Sequence, residues 1–116
     1  MSWMHILKAG QCYSLAFQHM LDNPDDKLVH AEVTGTGGSV GKGTKYGHAF
    51  ILKAPTFEVV YDVCQKTPMP KEFYYRLGSI QEGEPHEYIY TLEEMVKKSL
   101  EHGHYGPWDL QTTSGL

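Results

Sequence analysis

The sequence predicts an α+β fold, in which a helix near the N-terminus packs on a small antiparallel sheet and another helix follows near the C-terminus. An apolar repeat at helical spacing follows Gly10. Short segments rich in β-forming residues occupy the middle of the chain, and a helix start signal stands at Thr91. At 116 residues the chain is long enough for one core but not for two. We therefore expect a single domain over residues 1–116.

Composition and charge exclude several classes of protein. With 41% hydrophobic and 21% charged residues, the chain has the composition of an ordinary globular protein. A net charge of −4 and a pI near 5.9 give no reason to expect a nucleic-acid partner. No segment approaches the roughly 20 apolar residues of a membrane span, and residues 1–8 lack the pattern of a signal peptide. We expect a cytoplasmic protein without a membrane partner, whose two cysteines stay reduced.

Cys12 stands at the start of the first predicted helix. The helix is expected from Tyr13 onward, because Gly10 breaks the chain before it and Asn23-Pro24 ends it. The first turn of a helix offers unpaired N–H groups and the positive end of the dipole, which favour a thiolate. Cys12 is therefore a candidate nucleophile. Its helix is expected to bury the apolar residues at helical spacing, which are Tyr13, Ala16, Phe17, Met20 and Leu21.

Residues 28–34 predict a strand with one buried face and one wet face, because apolar and polar residues alternate along them. On the wet face, His30 is interpreted as a solvated or structural histidine beside Glu32.

The segment that follows, residues 35–44, contains five glycines. Lys42 after Gly41 resembles part of a phosphate-binding loop, but that motif needs Gly at position 36 and Ser or Thr at position 43, where the chain has Thr36 and Gly43. A strand, rather than a helix, is also expected after it. The segment is better interpreted as a flexible hairpin or a flap over a site.

Residues 47–53 and 56–64 are rich in β-forming residues and predict a hairpin. A three-residue loop centred on Pro55 would place His48 directly opposite Asp62. Opposed residues point to the same face with Cβ atoms about 4.5–5.5 Å apart, close enough for an imidazole–carboxylate hydrogen bond. This expectation depends on the loop length, since a one-residue shift of register would separate the pair.

The rest of the chain predicts two helices and a strand. Residues 71–78 predict a short helix with proline near its start and glycine at its end, and residues 87–90 predict a strand. Thr91 and Glu94 form a capping box that opens a helix to about His102, followed by a polar tail expected to fray. The last helix is expected to bury Leu92, Met95, Val96 and Leu100, and to pair Glu93 with Lys97 and Glu94 with Lys98 on its solvent face.

Cys12, His48 and Asp62 are the residue types of an acyl-transfer site. A thiolate attacks a carbonyl, an imidazole takes the thiol proton and later protonates the leaving group, and a carboxylate fixes the imidazole tautomer. The backbone N–H of Cys12 is expected at the oxyanion position, with help from Gln11. Along the chain the candidate nucleophile comes first, the base second and the orienting carboxylate third.

In these pieces the chain resembles the papain-like cysteine hydrolases, especially their transglutaminase-like branch. The matching segments are Gly10-Gln11-Cys12-Tyr13-Ser14, Gly47-His48-Ala49-Phe50 and Val60-Tyr61-Asp62, within residues 10–64. The resemblance implies a papain-like core and thiol-dependent chemistry on a peptide or protein amide, as a peptidase, amidase, deamidase or acyltransferase, without a cofactor. Residues 65–116 match nothing that we can name, and the substrate and the oligomeric state stay open.

Other interpretations of these residues stay open. The same scaffold with an inactive triad would be a non-enzymatic binding module. Zinc accepts Cys, His and Asp ligands, so a metal site from Cys12, His48, Asp62 and Cys64 is conceivable, although no paired CxxC or HxxxH spacing supports it. Gln11, Tyr13 and Trp108 are candidate oxyanion or substrate-binding residues. His102, His104 and Trp108 either line a cleft or form the end of a helix and a packed aromatic group.

Overall fold

A computed structural model of the chain describes residues 11–35 and 43–111. Within them the chain forms helices α1 (Gln11–Asp22), α2 (Lys71–Leu77) and α3 (Leu92–His102), and strands β1 (Lys27–Thr34), β2 (Lys45–Leu52), β3 (Val59–Asp62), β4 (Thr67–Pro70) and β5 (Glu87–Tyr90). The strands form one antiparallel sheet in the order β4-β3-β2-β1-β5. The α+β class and the helix-on-sheet arrangement are confirmed. No helix of the described part is long and apolar enough to cross a membrane.

Both faces of the sheet are covered. Helix α1 and Met95 of α3 pack on one face, together with Trp108 from the C-terminal segment. Tyr75 of α2 and Ile80 pack on the other, against strand residues such as Phe50. The expected wet face of β1 is therefore wrong, since the side chain of His30 is 0% exposed.

Helix α1 buries a stripe that is shifted from the expected one. Cys12, Tyr13, Ala16, Phe17 and Met20 are buried. Leu21, which we expected in the stripe, is 53% exposed. Cys12 lies on the opposite edge of the stripe from Leu21, so one edge position is exchanged for the other. This places the thiol in the core at the start of the described helix.

The register of the β2–β3 hairpin differs from the expected one by two residues. Ile51 pairs with Tyr61 and Leu52 with Val60, and the loop spans residues 54–58 instead of three residues centred on Pro55. Phe57 closes it in the left-handed region with a φ of 61°, a conformation that the sequence did not signal. The direct opposition of His48 and Asp62 is therefore wrong. A shift by two residues keeps both side chains on one face, however, because the side-chain period of a strand is two.

The second half of the chain follows its local signals closely. Helix α2 begins after Pro70 and ends at Gly78. At α3, Thr91 and Glu94 form the expected capping box, and Gly103 ends the helix with a φ of 78°. Strand β4 was not expected, since its sequence contains two prolines. It lies at the edge of the sheet, where proline is tolerated.

The solvent face of α3 and the tail differ from expectation. Met95 is buried as predicted, but Leu100 is 80% exposed. Lys98 pairs with Asp109 at 3.0 Å, rather than with Glu94. Asp109 also accepts a hydrogen bond from Tyr90 Oη at 2.7 Å. The tail is therefore packed up to buried Leu110, while residues 112–116 lie outside the described part.

The proposed flap falls mostly on residues 36–42, which lie outside the described residues. Its ends form a hairpin connection between β1 and β2. The Gly35 N–H donates to Thr44 O at 2.7 Å, and the Gly43 N–H donates to Gly35 O at 2.9 Å. The strand expected after this segment is confirmed as β2.

His30 lies in an aromatic cage on the α1 face. The rings of Tyr13, Tyr90 and Trp108 lie 4.8–5.1 Å from its ring, centroid to centroid. Among residues 11–35 and 43–111, neither ring nitrogen has a hydrogen-bond partner. Burial lowers the pKa of His30 from 6.5 to about 3. The imidazole is therefore neutral at physiological pH and behaves as a core aromatic group.

Gly106 closes this cage, and we expect its replacement by Ala to be costly. A Cβ at Gly106 would lie 2.6 Å from His30 Cε1, and its φ of 122° is unfavourable for other residues. Gly103→Ala is a matched control, because Gly103 also has a positive φ but a Cβ there would meet no atom of the described residues within 4 Å. Urea unfolding should show a loss of about 1–2 kcal/mol for Gly103→Ala and a further loss of about 1–3 kcal/mol for Gly106→Ala. Equal losses would contradict the close contact.

The cage also predicts a pH dependence of stability. The unfolded chain binds a proton at His30 below pH 6.5, whereas the folded chain does so only near pH 3. Stability is therefore lost as pH falls through this window, by about 1.4 kcal/mol per pH unit. The free energy of unfolding should fall by about 2 kcal/mol from this group between pH 6.5 and 5, and His30→Leu should remove that part of the slope. An unchanged slope in His30→Leu would show that other groups cause it.

Candidate active site

His48 and Asp62 form a buried ion-pair geometry between β2 and β3. His48 Nε2 lies 2.9 Å from Asp62 Oδ2. Asp62 is also an acceptor for Tyr74 Oη at 2.7 Å and for the backbone N–H groups of Cys64 and Gln65 at 3.1 and 3.3 Å. Burial alone would raise the pKa of Asp62, but the hydrogen bond and charge of His48 and the bond from Tyr74 lower it below its ordinary value. Asp62 is therefore a carboxylate at neutral pH.

This carboxylate fixes the state of His48. Since Asp62 only accepts hydrogen bonds when ionised, Nε2 of His48 carries the proton of this contact, and Nδ1 is the other ring nitrogen. Nδ1 is buried and has no hydrogen-bond partner within the described ranges. Tyr46 and Phe50 flank the ring, with centroids at 6.1 and 6.3 Å. The contact with Asp62 thus fixes the orientation of Nδ1 of His48.

The thiol of Cys12 lies at the edge of β2, at Ala49, the residue that follows His48 in the chain. Cys12 is 2% exposed, and the backbone N–H of Ala49 donates a hydrogen bond to it. The Lys53 N–H donates to Val59 O across the β2–β3 hairpin, and alternation along a strand puts the Ala49 N–H on that same edge. Ladder pairing of β2 with β3 begins only at Ile51. Cys12 therefore occupies the place where the two strands separate.

Cys64 is the second thiol at this place. It is half-buried, packs against the core cluster that contains Cys12, and interacts with the Cys12 thiol through a side-chain hydrogen bond. Neither cysteine is in a disulfide. The Cys64 backbone N–H binds Asp62, so Cys64 is attached to the same carboxylate as His48.

The pKa values of the two thiols are shifted in opposite directions. The hydrogen bond with Cys64, followed by burial, raises the pKa of Cys12. The hydrogen bond from Cys12, and then the charge of His48, lowers the pKa of Cys64. Cys64 is therefore the first of the pair to ionise. The shift at Cys12 is opposite to the one that its position at a helix start favours, because the neighbouring thiol and burial outweigh the helix end.

The structure brings together some of the predicted site residues and separates others. The His48–Asp62 hydrogen bond is confirmed. The Cys12 thiol is engaged with Cys64 and Ala49 on the α1 face of the sheet, whereas the His48 side chain lies on the other face with Phe50. Tyr13 and Trp108 are buried around His30. The Trp108 indole donates to His104 O at 2.9 Å, and the rings of His102 and His104 lie 5.9 Å apart beyond the end of α3.

One neighbour of Asp62 was missed by the sequence interpretation, and another was given a different part. Cys64 was expected near Asp62, because it lies two residues after it, but as a conceivable metal ligand and not as a partner of the Cys12 thiol. Tyr74 comes from α2, and nothing in its local sequence indicates a contact with Asp62. No group of three or more His, Cys, Asp or Glu side chains in the described ranges has an arrangement that could hold a metal ion.

A small pocket lies next to residues that donate hydrogen bonds to Asp62. Its volume is about 100 Å³, and Tyr46, Gln65 and Tyr74 contribute to its walls. Two larger pockets, of about 540 and 900 Å³, lie elsewhere, one beside α3 and β5 and the other beside α2. The walls of the small pocket include two residues that donate hydrogen bonds to Asp62, which are Gln65 and Tyr74.

Comparison with protein-family models, with curated proteins and with solved structures finds no match to this chain.

The Tyr74 hydroxyl should stabilise the ionised form of Asp62. We expect Tyr74→Phe to lower the free energy of unfolding at pH 7 by about 1.5–3 kcal/mol, the usual range for a hydrogen bond to a charged group. Tyr46→Phe removes a hydroxyl from the same pocket and should lower the free energy of unfolding by less than Tyr74→Phe does. Urea unfolding at pH 7 measures both variants.

The same variant has a defined pH dependence. Because the pKa of folded Asp62 is lowered, its contribution is present above the ordinary value of 3.8 and is lost as pH falls through the folded pKa. The difference between wild type and Tyr74→Phe should therefore narrow from pH 7 to pH 3. A constant difference would mean that the hydroxyl acts through packing.

Proposed function

We propose that this protein is a small thiol-dependent enzyme that transfers the acyl group of an amide, as a peptidase, amidase, deamidase or transglutaminase-like acyltransferase. The observation that carries the proposal is the buried His48–Asp62 pair, which leaves His48 Nδ1 without a hydrogen-bond partner in the described ranges, while the Cys12 thiol lies at the N–H of Ala49, the residue after His48. The order of these residues along the chain, and the resemblance to papain-like hydrolases, also support it. The substrate is a peptide or protein amide.

Each residue has a defined role in this proposal. Cys12 Sγ attacks the carbonyl carbon while its proton passes to His48 Nδ1, and the same proton then goes to the leaving amine. The acyl group remains on Cys12 as a thioester, which water or another amine cleaves with His48 as base. Asp62 keeps the Nε2 proton in place and stabilises the imidazolium that forms. No step needs a further cofactor.

The proposal requires Cys12 to change partners. In the structure its thiol interacts with Cys64 and Ala49, so it must approach His48 Nδ1 when substrate binds. Catalytic hydrogen bonds are often long or misaligned in the absence of substrate. Proton transfer to His48 during attack would also remove the need for a preformed Cys12 thiolate, whose formation the Cys64 contact disfavours.

A non-enzymatic binding module is the second candidate. The observation that favours it is the deep burial and raised pKa of Cys12, which are typical of a structural thiol. In that case the His48–Asp62 pair would serve only to connect β2 and β3. The two candidates differ in whether Cys12 forms a covalent intermediate.

Acylation of Cys12 distinguishes the two candidates. We expect a p-nitrophenyl acyl ester to acylate Cys12, as shown by acid quenching, intact mass and peptide mapping. His48→Gln should slow this reaction by about 10²–10⁴-fold, the usual contribution of a general base, and Asp62→Asn should also slow it. Cys64→Ser should keep the acylation of Cys12. Peptide p-nitroanilides and glutamine-containing peptides, assayed for nitroaniline and ammonia, then define the class of amide.

Other outcomes of this experiment contradict the proposal. Acylation of Cys64 without acylation of Cys12 would show that Cys64 is the nucleophile and that the assignment to Cys12 is wrong. A rate of Cys12 acylation that His48→Gln leaves unchanged would remove the base and favour the binding module. Circular dichroism of each variant excludes unfolding as the cause of a lost reaction.

A further inference from the structure

The contact between Cys12 and Cys64 is not used by the proposed acyl transfer. The two residues are distant in the chain, yet Cys64 packs against the buried cluster that contains Cys12, where β2 and β3 separate. The Cys64 backbone N–H donates to Asp62, and Cys12 is held by α1 and the Ala49 N–H. Buried structure therefore anchors both cysteines at one place.

The two thiols differ in access and in ionisation. Cys64 is half-buried and so reachable from solvent, whereas Cys12 lies in the core. The hydrogen bond from Cys12 and the charge of His48 lower the pKa of the Cys64 thiol. An accessible cysteine with thiolate character next to a second thiol has the features of a redox-reactive cysteine with a resolving partner.

We propose that Cys64 and Cys12 form a hydroperoxide-reactive dithiol, in which Cys64 reacts with the peroxide and Cys12 resolves the product to a reversible disulfide. The oxidant is hydrogen peroxide or an organic hydroperoxide. Disulfide formation does not depend on the proposed amide chemistry. Its consequence does rest on that chemistry, since the disulfide would consume the Cys12 nucleophile and switch off acyl transfer.

The reaction balances in two steps. The Cys64 thiolate attacks one oxygen of the peroxide, the O–O bond breaks, and Cys64 becomes a sulfenic acid while the other oxygen leaves as hydroxide or alkoxide and takes up a proton. The Cys12 sulfur then attacks the Cys64 sulfur, its proton joins the departing hydroxyl, and water leaves. The peroxide is reduced by two electrons, and the sulfur pair is oxidised by two. A dithiol reductant returns the disulfide to two thiols.

The test uses the full chain under native conditions with a limited excess of hydrogen peroxide. We expect loss of the mass of two hydrogen atoms, with no dimer on non-reducing gels. Trypsin cleavage after lysine should then yield peptide 9–27 linked to peptide 54–66, and dithiothreitol should separate them. Cys12→Ser should trap a sulfenic acid on Cys64 that dimedone labels. In Cys64→Ser the Cys12 thiol should be oxidised at least about tenfold more slowly than Cys64 is in Cys12→Ser, because Cys12 is buried in the core.

Several results would overturn the inference. A Cys64 sulfenic acid in wild type that never links to Cys12 would exclude the resolving role, and faster oxidation of Cys12 than of Cys64 would reverse the assignment. A disulfide that joins two chains, with none formed within a single chain, would exclude an intramolecular pair. The disulfide is detected by mass and not by activity. Its absence would therefore overturn this inference without bearing on the proposed amide chemistry. If amide turnover exists, it should be lost on oxidation and restored by dithiothreitol.

Discussion

Asp62 is a buried carboxylate that receives hydrogen bonds from three parts of the chain. His48 reaches it from β2, Tyr74 from α2, and the N–H groups of Cys64 and Gln65 from the turn after β3. A buried charge is tolerated only when its hydrogen-bonding capacity is satisfied. Each of these elements must therefore be in place for the carboxylate to stay ionised. This single requirement connects His48, the turn that carries Cys64 and helix α2.

The covered sheet explains where reactive groups are found. Helices on both faces turn most strand side chains into core, including His30, which is neutral within its aromatic cage. Polar chemistry then needs a place where the sheet is interrupted. The β2–β3 ladder is limited to two residue pairs, and the N–H of Ala49 is used by the Cys12 thiol instead of by a strand. Strand separation, rather than a large pocket, thus creates the candidate site.

Local signals in the sequence were sufficient for every described helix and strand except β4, but not for the long-range contacts between them. The capping box of Thr91 and Glu94 depends on residues three apart, and it is present as predicted. The wet face assigned to His30 was wrong because Trp108, far along the chain, covers it. The hairpin shows an intermediate case: the left-handed Phe57 changed the loop length, which no local pattern indicated. The His48–Asp62 contact survived because the resulting shift of two residues preserves the face.

The same distinction applies to the chemistry of Cys12. Its position at a helix start is a local property, and on that basis alone a lowered pKa is expected. Cys64 reverses this expectation, because a hydrogen bond between two thiols favours ionisation of one and disfavours ionisation of the other. A ligand that separated the two sulfurs would remove the largest cause of the raised pKa of Cys12, while the Ala49 N–H would still favour its thiolate. The ionisation of Cys12 is therefore governed by what occupies the space beside Cys64.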